Sequence, residues 1–163
     1  MAYDIALVAA ALTCSLVSGL LLGFATVAMP GIGTLDDRAF VRAFQVMDRV
    51  IQDRQPVFML LWVGSVAAVL ATLGLGWSQT VDGQRLLLVG ATVLWIGGLQ
   101  VPTATINLPL NNALQAVDVD AVDDQSVSRA RGDFERRWNT WNRVRTVAGV
   151  LASAGFVLLL LAR

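Results

Sequence analysis

The chain has no histidine, no lysine, one cysteine and one glutamate among 163 residues. Losing histidine removes the commonest general base and the commonest transition-metal ligand. With one thiol besides, the donor set for zinc, haem or copper is missing. A magnesium or iron site could draw only on Glu135 and the aspartates, and we expect neither a metal nor a cofactor. Cys14 has no partner for an intramolecular disulfide, and its apolar surroundings make it inert. Charge is scarce too: 12 basic residues, all arginine, balance 12 acidic ones. A nucleic-acid partner is therefore not expected, because neutralising phosphates takes a basic surface. No nucleophile–base triad, phosphate loop, dinucleotide fingerprint, internal repeat or low-complexity tract is visible.

What the chain has is apolar length. Hydrophobic residues make up 56%, and the mean hydropathy is +0.64, well above an ordinary soluble domain. About 20 apolar residues cross a ~30 Å hydrocarbon core as a helix. Four stretches are candidates: Ile5–Met29, Val57–Trp77, Leu86–Ile106 and Thr146–Ala162. The expected fold is an all-α, four-helix bundle in a lipid bilayer, one membrane domain over residues 1–163. The first stretch is too long for the core of a signal peptide and has no basic residue before it, so it reads as a span. Its Ser15, Ser18, Gly19 and Gly23 form a small-residue stripe suited to close helix packing.

The connections carry the polar residues. Met29-Pro30-Gly31 reads as the end of the first span, and Thr34 with Asp37 as a capping box. Asp36–Arg54 then alternates at helical spacing, with Phe40, Phe44, Met47 and Ile51 on one stripe, which predicts an amphipathic helix at the bundle mouth. Pro56 opens the second span and Pro102 predicts a kink in the third. Asn107–Arg137 is polar, with turn chemistry around Pro109, a loop over Asp118–Asp124 and a helical extension from Ser128 into the fourth span. Of the 12 arginines, all but Arg85 and Arg163 belong to the first and third loops and their flanks. The positive-inside rule puts those loops in the cytoplasm and both termini outside an inner membrane.

Three polar patterns stand out. Trp138, Trp141, Asn142 and Arg145 share a helical face, and two indoles beside an amide and a guanidinium suit a flat, partly polar ligand. Interfacial tryptophans and topogenic arginines give the same pattern without a ligand. Asn107 and Asn111 follow the third span; they either cap a new helix or point into the bundle mouth as neutral hydrogen-bond donors. Gln45 and Asp48 lie beside the apolar stripe of the amphipathic helix; they are either solvated or, for Asp48, a base or the partner of Arg145. Asp133 and Glu135 compete for the role of base.

Taken together, these segments resemble the anthrone oxygenase-like family of small membrane proteins. The resemblance rests on Val27-Ala28-Met29-Pro30-Gly31 followed by Leu35-Asp36-Asp37-Arg38-Ala39-Phe40-Val41 and Gln45. It rests further on Asn107-Leu108-Pro109-Leu110-Asn111 and on Arg137-Trp138 with Trp141-Asn142-Arg143-Val144-Arg145-Thr146. It implies a four-helix membrane bundle and oxidation of an anthrone by molecular oxygen without a cofactor. On this chain Trp138 and Trp141 would stack the polycycle, Asn107, Asn111 and Arg145 would stabilise the oxyanion, and a carboxylate would take the proton. Two other readings use the same residues: a binder of a quinone, another small aromatic or a lipid without turnover, and a structural subunit of a membrane complex.

Overall fold

The computed structural model describes residues 1–162, and all regular structure in them is helical. Five helices follow one another. Helix α1 covers Ala2–Ile32 and α2 Asp37–Gln52. Helix α3 covers Pro56–Gly76, α4 Asp82–Gln115 and α5 Asp124–Leu161. All but α2 are long and apolar enough to cross a membrane. Helix α1 packs along α3 on one side and α5 on the other. Helix α4 packs along α5 and meets α3 chiefly over Asp82–Val93. Helix α2 lies across the end where loops 1 and 3 emerge, against α5 and the last turns of α4. The 38 residues of α5 make a rod of about 57 Å at ~1.5 Å per residue, longer than the ~30 Å hydrocarbon core of a bilayer.

Prolines explain where these helices depart from regular winding. A proline inside a helix lacks an N–H, and its ring pushes against the carbonyl four residues back. Pro30, Pro102 and Pro109 all lie inside helices, and the carbonyls in question belong to Thr26, Gly98 and Thr105. Each falls in a wide, π-type turn: Phe24–Ala28, Leu94–Gln100 and Thr103–Asn107 respectively. The chain absorbs each proline by widening the turn upstream rather than by stopping. This corrects three expectations. The first helix does not end at Met29, the third span does not stop near Ile106, and Pro109 marks no turn. Pro56, by contrast, is the first residue of α3, where no N–H is needed, and the Gln55 side chain caps Phe58 N–H. The chain reverses between α2 and α3 through Arg54, at φ 60°.

Capping also differs in detail. Asp36, not Thr34, caps α2, accepting from Ala39 N–H at 2.9 Å, while the Thr34 hydroxyl turns back to Gly31 O. Asp123 caps α5, accepting from Ser126 N–H at 2.7 Å. Those Ser126 hydrogen bonds hold its carboxyl below the usual aspartate range.

The core has two parts. Tyr3, Leu7, Cys14, Val69, Leu88, Trp95, Leu99 and Phe156 belong to the larger, which fills the bundle between the four spans. Phe40, Phe44, Leu114, Phe134 and Trp138 belong to the smaller, which glues α2 onto α5 and the end of α4. Arg131 ties this end together. It reaches Glu135, Asp37 and the carbonyls of Gly33 and Leu35, and it covers the Phe40 ring at 4.3 Å. Arg38 adds bonds to Asp124 and Val122 O, and Arg42 pairs with Asp120.

Candidate functional site

Between the two parts of the core lies a cavity of about 270 Å³, near the lower end of the ~300–1,000 Å³ usual for small-molecule sites. All five helices line it. Leu20, Leu21 and Phe24 come from α1; Phe44, Asp48, Ile51 and Gln52 from α2; Phe58, Met59 and Trp62 from α3. Thr103, Asn107, Leu108 and Asn111 come from α4, and Trp138 and Arg145 from α5. The lining is mostly apolar, with a few converging polar groups, as ligand pockets usually are. Two of the three wide turns border it, one through Phe24 and the other through Thr103 and Asn107. Wide turns of this kind recur at functional sites, since they turn side chains out of the helical register.

A hydrogen-bonded chain runs along one wall. Trp138 Nε1 donates to Asn111 Oδ1 at 2.7 Å, and Asn111 Nδ2 donates to Asp48 Oδ1 at 2.7 Å. The other oxygen of Asp48 accepts from Gln52 at 2.6 Å and from Gln115 at 3.0 Å. Asp48 is 3% exposed, and among the described residues no arginine pairs with it. Its charge is held by three amides.

The opposite charge lies elsewhere on the lining, over the Trp138 ring. Arg145 is 4% exposed and pairs with no carboxylate among the described residues. Its two terminal nitrogens donate to Thr103 Oγ1 at 3.0 Å and Asn142 Oδ1 at 2.9 Å. Its Nε is buried without a partner. Asn107, 1% exposed, donates to Trp138 O at 3.3 Å, and its Oδ1 likewise has no partner. Unmet buried polar groups are costly and rare. Here one is a donor and one an acceptor, on residues of the same cavity.

Asp48, Asn107, Asn111, Trp138 and Arg145 thus come together at the cavity, and three expected residues do not line it. Gln45 is buried but structural, its amide donating to the Leu114 and Val117 carbonyls at 2.8 and 2.9 Å. Asn142 sits behind Arg145 and donates to Leu21 O at 3.1 Å. Trp141 is half-buried and outside the lining; a spacing of three residues rotates it about 60° from Trp138. Neither solvation nor helix capping describes the buried pairs: Gln45 and Asp48 face inward, and Asn107 caps nothing because α4 runs through it. Asp48 does not pair with Arg145, and the open atom of Asn107 is an acceptor, not the donor expected of it. Glu135 is taken by Arg131 and Asp133 is exposed; neither lines the cavity.

Gln52, Gln115 and Thr103 were missed. A signal existed for the first two: each glutamine lies four residues after a site residue, Asp48 or Asn111, the spacing at which helical side chains meet. The aromatic wall of Phe58 and Trp62, stacked at 5.4 Å, carried the same signal.

Fold and cavity define a class: a bundle of apolar helices, four of them membrane-length, with a partly open cavity near one end. The chain belongs to the anthrone oxygenase family, whose profile matches residues 46–155. That match contains Asp48, Asn107, Asn111, Trp138 and Arg145, while the motif at residues 27–45 lies outside it. No curated protein and no solved structure matches the chain.

Proposed function

We propose that the chain is a membrane-embedded oxygenase that oxidises a small aromatic or polycyclic, anthrone-type substrate without a cofactor. One observation carries the reading. A buried carboxylate without a cation and a buried guanidinium without a carboxylate share one apolar cavity. Each charge is costly to bury, and a substrate that loses a proton to Asp48 and gains an oxyanion beside Arg145 uses both. The substrate's CH₂ gives a proton to the carboxylate and becomes an electron-rich anion. That anion transfers electrons to O₂ and forms a C–O bond, giving a hydroperoxide once protonated. Loss of water then leaves a new C=O, so that CH₂ and O₂ become C=O and H₂O. The Arg145 guanidinium, 5.8 Å over the Trp138 ring, is placed to hold the oxyanion. Trp138, Phe44 and Phe24 offer flat aromatic surface to the rings. The apolar lining keeps competing water out.

A second reading has its own support. Three amides already satisfy Asp48, as they would in a site that binds a quinone or lipid without turnover. In either case the arginine distribution supports an orientation with loops 1 and 3, and with them the cavity end, toward the cytoplasm.

The deciding experiment is oxygen uptake by the purified protein over a small panel of anthrones, corrected for autoxidation. Asp48→Asn removes the base and keeps the volume, and it should slow protein-dependent uptake by about 10²- to 10⁴-fold. Uptake unchanged in the variant would remove Asp48 from the chemistry; no uptake by the parent protein would leave the binding reading.

A further inference from the structure

The two sides of the cavity are closed by different means. On the polar side α2 lies across the mouth, fixed by Gln45 to loop 3 and by Arg38 and Arg42 to Asp124 and Asp120. Asp48, Gln52, Asn112 and Gln115 knit the remaining opening together with hydrogen bonds. On the other side stands α3. Among the described residues, its first half makes side-chain hydrogen bonds only within itself: Gln55 caps Phe58 N–H and Ser65 donates to Trp62 O. It leans on α1, and its main contact with α4 is confined to Asp82–Val93, the far part of that helix. Beside the cavity α3 and α4 separate, and the rim there is apolar: Phe58, Met59 and Trp62 are half-buried, Leu20 and Leu108 exposed. The outer surface of α3 continues this rim with exposed Val57, Leu60 and Val63. In a bilayer that surface faces acyl chains, and apolar contacts without hydrogen bonds give α3 no strong tie to resist parting, because lipid tails are as apolar as the helix.

We infer that the cavity is loaded sideways from the bilayer, through the gap between the first half of α3 and the segment of α4 around Leu108. The substrate class follows: a flat compound dissolved in the membrane, entering apolar edge last and bringing its oxygen-bearing edge to Arg145 and Asp48. The inference rests on the cavity being the ligand site, as proposed above, but not on turnover there.

The test uses the full chain in liposomes, with anthraquinone dissolved in the membrane as a non-reacting probe and quenching of tryptophan fluorescence as the readout. Met59→Cys and Leu108→Cys stand on opposite sides of the gap, and a short bifunctional maleimide bridges them. Bridging should slow quenching by at least about ten-fold relative to the same double variant left unbridged, since removal of the entry path acts on the association rate; each single variant should keep the rate it has before the reagent is added. An unchanged rate in the bridged protein, or no quenching in the parent, overturns the inference. A second measurement raises the salt concentration, which loosens the Arg42–Asp120 and Arg38–Asp124 pairs over α2. A rate that rises with salt would show entry through the polar mouth and would equally overturn it. If anthraquinone enters through the gap but anthrones draw no oxygen, the oxygenase reading fails while the route stands.

Discussion

The two halves of the bundle are built on opposite principles. Toward the termini, a continuous apolar cluster packs between the spans. Gly149 is there because an added Cβ would lie 2.5 Å from Ser18 Oγ and 2.8 Å from Leu99 Cδ1. Phe156 and Trp95 are fully buried in the same packing. Toward loops 1 and 3 the bundle is hollow and its wall carries separated charges. The filled half supports the fold; under the proposed function, the hollow half gives up packing energy for a ligand site, a familiar exchange between stability and activity.

Substitutions should therefore act differently in the two halves. The largest effect is expected for Phe156→Ala, which opens a void in the filled half and should cost about 3–5 kcal/mol, read as loss of the folded fraction in detergent denaturation. Met59→Ala enlarges a space that is already open, and should change stability by well under half of that. Equal losses would erase the distinction between the halves.

Next comes Arg145→Met. A buried ion that no countercharge compensates contributes little to folding, and an apolar side chain of similar length commonly keeps or raises stability. The melting temperature should hold or rise while uptake on a reactive anthrone falls about 100-fold, as when an oxyanion donor is removed. A fall in melting temperature matching that of Phe156→Ala would make Arg145 a structural residue.

The smallest effect concerns Asp123, outside the bundle. Its carboxyl lies below the usual aspartate range because Ser126 hydrogen-bonds to it. A depressed acid stabilises the fold above its unfolded pKa and loses that contribution as pH falls through its folded value. Hydrogen exchange at Ser126 N–H should thus stay slow down to the ordinary aspartate range and speed up only below it. Asp123→Ala should abolish the pH dependence without altering the hollow half.

Much of this was legible in the sequence because the bilayer simplifies the code. Runs such as Ile5–Met29 can only be helices where backbone polar groups find no water, and Phe40, Phe44 and Ile51 marked the face of α2. The site was legible where polar residues recur at helical spacing, as with Trp138 and Arg145, seven apart. It was not legible where position depends on how turns are wound. Asn107 and Asn111 looked like residues beyond the third span because Pro109 looked like a turn. The aspect of Asp48 depended on α2 lying flat across α4, which no local pattern encodes. Trp141 was misplaced because a shared face on a helical wheel is broader than the strip that one cavity can touch.

The three mid-helix prolines also act as gears. Each wide turn offsets the face of everything beyond it, and one residue of α-helix corresponds to a rotation of about 100°. Asn111 and Gln115, which meet Asp48, lie beyond the Thr103–Asn107 turn and take the offset it supplies. Replacing Pro109 with alanine would let that turn tighten and carry both amides away from the carboxylate, though neither had been touched. Such a chain can change which side chains face its pocket by gaining or losing a proline, with every residue that lines the pocket left as it is.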